Sequence, residues 1–326
     1  MKKIMKITLI TAGILTGLGL ICFLIGAAGV GFDYTKFGKS TEYEMKTFEY
    51  DGNVNSVNLS TWTDDIKFEK SKDSKTRVVY YNSKDEKITY RIEAKSQLDI
   101  KQEDNRQWYE RLSFFSFENS RSLTIYLPED HYETINAVCT SGNITSTVKL
   151  TASGNLQVKS VSGNILLENI SCGGKCTAES TSGNISLNHM LSKYDLSLHT
   201  TSGSIKLDEC SAGNSINCAS TSDYISLKNC TAAVISGNSV SGNINIKNVK
   251  ASSNSEFNTT SGELVFDGTD SPVIHARSIS GDIFGRIGYA GQYHTSTVSG
   301  SVTIPSSGGD RNYSMETVSG DIRISD

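Results

Sequence analysis

The sequence predicts an all-β protein, a single-stranded and β-helix-like β-solenoid of about 20-residue coils, preceded by one transmembrane helix. Three observations carry this expectation. A phrase of the form Ser-Gly-Asn-Ile returns at nearly constant spacing through the second half of the chain. Aliphatic residues keep fixed places relative to it, and the N-terminus opens with lysines followed by a long uncharged run. Composition agrees, because Ser, Thr, Asn and Gly dominate long stretches and the Ile, Leu and Val residues alternate with polar ones, as strands require. With a net charge of −4 and no basic stripe interleaved with aromatics, nothing points to nucleic acid as a partner.

At the N-terminus, Lys2, Lys3 and Lys6 precede an uncharged run over residues 7–32. That run exceeds the roughly 20 residues needed to cross a hydrocarbon core, and the lysines should stay on the cytoplasmic side. A cleavable signal peptide is the competing reading, since Gly26 and Ala28 are small enough for a cleavage site. Its apolar region would span only about 7–15 residues, so a retained signal anchor is expected over residues 1–32. Ile21 before Cys22 argues against a lipoprotein signal, which needs a small residue there. The expected location is therefore the cell membrane, single-pass, with the C-terminal part extracytoplasmic.

Residues 33–46 read as a polar linker. Over 47–138, segments such as "SVNLSTWTDDIKFEK", "RVVYY", "KITYRI", "QLDIKQ" and "SLTIYLPED" alternate apolar and polar residues between turn-formers, the pattern of short strands that lead into and cap a solenoid. Between two of them lies "RQWYERLSFFSFENSR", an insertion carrying Trp108, Tyr109, Phe114, Phe115 and Phe117. Such residues suit a partner contact; the alternative is that these rings cap the first coil.

The solenoid is expected over 139–326. Its corner glycines are Gly142, Gly163, Gly183, Gly203, Gly242, Gly262, Gly281, Gly300 and Gly320, with Asp223 in the corresponding place between Gly203 and Gly242, and successive corners lie 19–21 residues apart. Two residues after each corner stands an aliphatic residue, from Ile144 to Ile322, and seven and five residues before it come pairs such as Leu196 and Leu198. Each coil therefore reads as two short strands joined by two turns and stacked in parallel on its neighbours. Glycine at the corner is expected for the backbone angles open to it, with Asn or Asp beside it as a turn residue. The row formed by Asn143, Asn164, Asn184 and their equivalents raises the possibility of a calcium or sugar site, but only Glu263, Asp282 and Asp321 carry carboxylates there, so a structural role is expected. One coil cannot repay its own ordering entropy, and stability should be a nearest-neighbour sum along the stack.

No catalytic, cofactor-binding or metal-ligating set is predicted. His131, His189, His199, His275 and His294 share no column, and in the outward column five residues after the corner Asp208 with Lys228 and Asp267 with Arg286 read as surface ion pairs between adjacent coils. Cys210 and Cys230 share a core column and are expected to pack as small hydrophobes, with a disulfide as the alternative. Cys172 and Cys176 bracket a turn and either close it with a local bridge or have no role of their own. Beyond Ile322 and Ile324 no capping segment follows, so an open C-terminal solenoid end is expected, suited to self-association.

The anchor, "STWTDDIKFEK", "LTIYLPED" leading into "TSGNI", and the run of S-G-[ND]-[IV] coils resemble the bacterial "putative adhesin" family of β-strand-repeat proteins, a domain of unknown function. That resemblance covers residues 45–326 and implies a β-solenoid in the cell envelope with no known catalytic residues. The function expected is a membrane-anchored adhesin or scaffold component that touches wall polymer or another envelope protein. A sensor or regulatory subunit of an envelope-stress system, docking a membrane protein, is the alternative; a polysaccharide-acting enzyme is a distant one.

Overall fold

The computed structural model describes residues 2–29, 41–107, 121–129, 131–306 and 308–325. The chain divides into two compact units. The smaller comprises residues 1–43, 83–88 and 104–119 and contains the helix Lys2–Gly29; within it Lys84 pairs with Glu42 at 2.7 Å. Among the described residues, no helix is long and apolar enough to cross a membrane. The insertion residues Trp108, Tyr109, Phe114, Phe115 and Phe117 lie outside the described residues.

The larger unit is a parallel β-solenoid with a continuous aliphatic core. Ile165 pairs with Ile144 on one side and Ile185 on the other, and Ile185 in turn with Ile205, so one in-register column runs along the stack. The column is buried because alternate residues of each strand face inward. The central coils have three strand segments rather than the two expected. In Ile165–Cys172 the chain bends at Asn169, which has a φ of 58°, and the same corner recurs at His189, Glu209, Asn229 and Asn248. Past this bend a third inward column begins with Ile170, Met190, Cys210 and Cys230, and the coil then returns through segments such as Cys176–Ser180. The sequence hides this corner because chemically unlike residues occupy it, each held left-handed by its neighbours.

All seven cysteines are free thiols, and the six beyond the N-terminal helix are buried. Neither the Cys210–Cys230 nor the Cys172–Cys176 bridge is formed. A hydrogen bond with Cys230 and burial both push the Cys210 thiol far up, and burial does the same to Cys176 and Cys218, so these groups pack as protonated, unreactive hydrophobes.

Both ends of the stack depart from sequence order. The parallel stack reaches back before residue 139: Ser56–Thr61 and Asp65–Lys70 pair with Thr134–Cys139 and Ile144–Ser146 on one side and with Gln97–Asp104 and Ser122–Leu127 on the other. The first coil is thus inserted between two later ones. At the far end, the Gly320 coil is inserted between the Gly281 and Gly300 coils, because Ile322–Ser325 pairs with Ile283–Arg286 and with Val302–Thr303. This corrects the expected open end. The last strand is not at the edge, Ile322 and Ile324 are buried, and the terminal coil is the one carrying Gly300.

Candidate functional site

The Ser-Gly-Asn phrase is a stacking device. None of its corner glycines has left-handed backbone angles, which corrects the reason expected for them. They are glycines because the coils approach too closely for a side chain. A Cβ on Gly163 would run into the carbonyl oxygen of Gly142, one on Gly183 into that of Gly163, and one on Gly203 into that of Gly183. Three residues earlier, a buried side chain secures the corner, the Cys139 thiol at Gly142 and a hydroxyl in the coils that follow. Ser180 accepts from the Gly183 amide at 2.9 Å and donates to the Gly163 carbonyl at 3.1 Å, and Ser160, Thr200, Thr259 and Ser278 do the same in their coils. At these five corners the glycine amide and the neighbouring carbonyl are thereby paired.

The residue after the corner builds a second ladder. Asn143 Oδ1 accepts from the Asn164 amide, Asn164 Oδ1 from that of Asn184, and Asn184 Oδ1 from that of Ser204, each at 2.8 Å. Ser204 is too short to continue it, and in the next coil Asp223 Oδ1 caps the Tyr224 amide at 2.7 Å instead. Asp223 thus stands in the glycine column where the ladder would otherwise leave a donor unpaired. Side-chain oxygens committed to backbone amides are poor ligands, and the described residues contain no His, Cys, Asp and Glu cluster fit for a metal. Asn184→Ala should cost about 1 kcal/mol by orphaning the Ser204 amide. Urea unfolding measures this, and the midpoint should be the same in chelator as in excess calcium.

The expected ion pairs form, with Lys228 to Asp208 at 2.6 Å and Arg286 to Asp267 at 3.2 Å. Lys247 joins Asp267 from the other side at 2.8 Å, and hydrogen bonds from Lys247 and Arg286 hold the Asp267 carboxyl below the usual range. All are exposed and serve the surface.

A buried polar cluster at the opposite end was not legible in the sequence. Asp64, 1% exposed, occupies the corner position of the inserted first coil: its carbonyl meets Gly142 as a glycine carbonyl does elsewhere. Its carboxylate pairs with Arg121 at 3.2 Å, accepts from the Tyr90 hydroxyl at 2.7 Å and lies 3.3 Å from Gln102 Nε2. Gln102 Oε1 also accepts from the Trp62 amide at 2.6 Å. Burial pushes the Asp64 carboxyl up, against the lowering effect of Tyr90 and Arg121. Closed to solvent around Asp64 and Gln102, this cluster ties Arg121, Tyr90 and Gln102 to Asp64 and Trp62 of the inserted first coil.

The accessible feature is a shallow groove along the strand segment that follows the left-handed bend in successive coils. Its floor is small, with Ala152, Gly173, Ala212, Gly213, Ala232 and Ala251, so the surface sags between its rims. Adjacent depressions share Ala212, Gly213 and Thr231, then Thr231, Lys250 and Asp270, so the groove continues across coils. Toward the C-terminal end it continues into a depression of about 560 Å³ lined by Asn229, Asn248, Lys250, Asp270, Arg286 and Tyr289. The inserted Gly320 coil contributes Arg311, which pairs with Asp270 at 2.6 Å and lies 4.2 Å from the centre of the Tyr289 ring. An amphipathic ring beside amide, ammonium and carboxylate groups matches the alternating faces of a sugar or another polar polymer. The sequence signal was the outward column eight residues after the corner, which changes from Ser171 and Ser211 to Lys250, Asp270 and Tyr289.

Solved structures similar to this chain include a "putative adhesin" from Bacteroides fragilis, 14% identical, covering 88% of this chain and 100% of that one with a TM-score of 0.37. A "putative lipid binding protein" from Parabacteroides distasonis is 15% identical over 88% and 99%, with a TM-score of 0.39. A "putative cell adhesion protein" from Clostridium sporogenes is 13% identical over 87% and 99%, with a TM-score of 0.23. No curated protein matches. The stack itself, from the first inserted coil to the last strand, coincides with the match of a family model to residues 54–325, and the chain belongs to the Toastrack DUF4097 family.

Proposed function

We propose that this chain is a non-catalytic component of a bacterial cell envelope, an adhesin-like or scaffolding solenoid that holds an extended polar polymer along its groove. The observation that carries the reading is the continuity of that groove: coil after coil supplies a shallow trough with a small-residue floor, as a linear ligand requires, and its C-terminal part gathers Tyr289, Lys250 and Asp270. A repeating ligand meets a repeating surface, so many weak contacts add along the stack. The uncharged run over residues 7–32 supports attachment to the cell membrane, with the solenoid outside the cytoplasm.

The test is co-sedimentation of the full chain, solubilised in detergent, with isolated cell wall and separately with membrane vesicles. Retention on wall material is expected, and Lys250→Ala with Tyr289→Ala should weaken it about tenfold, a loss of roughly 1.4 kcal/mol. Wall retention untouched by those substitutions would remove the groove from the reading. Binding to membranes alone, abolished by Trp108→Ser, Phe114→Ser and Phe115→Ser, would replace it with a regulatory subunit that docks a membrane protein through the aromatic insertion.

A further inference from the structure

The Gly300 coil is the only corner-glycine coil with nothing stacked on its outer side among the described residues, and two columns measure what it lacks. Two residues before the corner, Val161, Val240, Ile279 and Val318 are 41%, 48%, 43% and 42% exposed, whereas Val298 is 81% exposed. Two residues after it, Ile144, Ile165, Ile283 and Ile322 are at most 1% exposed, whereas Val302 is 42% exposed. No described strand pairs with the outer edge of Gly291–Ser296 or Val302–Thr303; their partners, Arg311–Glu316 and Ile322–Ser325, lie on the inner side. The Asn/Asp ladder stops there too, with Asp321 Oδ1 accepting from the Ser301 amide at 2.8 Å.

Exposed strand edges are normally guarded by lysine or another charge. Here the guard is missing: between Arg286 and Asp310 the sequence contains no Lys, Arg, Asp or Glu. The gap coincides with the terminal coil, while the neighbouring Gly281 and Gly320 coils carry Asp282, Arg311 and Arg323.

We propose that the outer edge of the Gly300 coil is a contact surface for a second copy of this chain, the two stacks joining end to end about a twofold axis. The strands of this coil are already held extended by their in-register pairing with the Gly320 coil on the inner side, which leaves their outer edge set for a further strand. An uncharged surface meets its own copy without repulsion. The opposite end offers no equivalent edge, because Arg77–Val79 pair antiparallel with Tyr126–Thr124 and interrupt parallel stacking there. Head-to-tail growth is therefore blocked, and the association closes at two, with antiparallel pairing between the two terminal coils.

Sedimentation velocity of the full chain in detergent tests this. The wild-type chain should sediment as a dimer, and Val298→Lys with Val302→Lys should halve the protein mass, an about twofold drop set by the closed symmetry. Both sites are exposed, so the thermal midpoint should stay close to wild type. A chain carrying Val298→Glu and Val302→Glu should also be monomeric alone, and mixing it with the lysine variant should restore the dimer, which confirms that both variants are folded. A monomeric wild type, a dimer that survives the lysine substitutions, open-ended polymers, or a mixture that fails to associate would each overturn the proposal.

Discussion

Gly183→Ala is expected to destabilise the stack by about 3 kcal/mol or more, at the top of the range for overpacking a close-packed site. The added methyl group would meet the Gly163 carbonyl, a backbone atom that cannot swing aside as a side chain would. Relief requires the two coils to separate, and that stretches the Ser180 bonds and the Asn164–Asn184 rung together. At Asp223, where a side chain does occupy this column, the corresponding bonds are long: 3.3 Å from the Asp223 amide to Ser220 and 3.5 Å from Ser239 to the Asp223 carbonyl. Chemical unfolding of the full chain measures the loss, with Gly17→Ala as a control, since a Cβ there meets nothing. A cost below about 1 kcal/mol, the level of an ordinary substitution, would show that the coils separate without strain.

Arg121→Met should be comparably damaging, by about 3–5 kcal/mol, because it leaves the Asp64 carboxylate buried without its cation. This loss should depend on pH. Burial already holds the Asp64 carboxyl above its ordinary value of 3.8, and removing Arg121 raises it further. The folded state then binds a proton that the unfolded chain releases, so the stability linked to this group is complete below 3.8 and is lost as pH rises through the folded value. The gap between variant and wild type should be widest at neutral pH and narrow on acidification. Unfolding curves across that range decide it, and a gap independent of pH would mean that Asp64 is not the group left exposed to the loss.

The repeat was readable because a coil that stacks on copies of itself must present the same residue types at the same places. Ile165, Ile185 and Ile205 announce a buried column before any contact is known. The left-handed corner at Asn169, His189 and Glu209 was not readable, since the fold imposes that conformation on unlike side chains. Nor was the coil at 54–70, where Thr61, Asp64, Asp65 and Ile66 take the places that Ser, Gly, Asn and Ile hold elsewhere. Asp65 Oδ1 nonetheless starts the amide ladder at 2.8 Å from the Asn143 amide. The groove escaped notice because it depends on small floor residues and on Arg311 arriving from a distant coil.

By itself the sequence determined the period, the core columns and the polar edge, because each arises between nearest neighbours of one kind. The order of the coils was decided only in three dimensions. The Gly320 coil brings Tyr313, Met315, Ile322 and Ile324 into the core, all at most 4% exposed, whereas the Gly300 coil has Thr295 in place of Met315 and leaves Val302 42% exposed. Surface charges accompany that order: Arg311 reaches Asp270 and Arg323 reaches Asp282, each at 2.6 Å. The Gly300 coil has no charge to offer and is left at the edge.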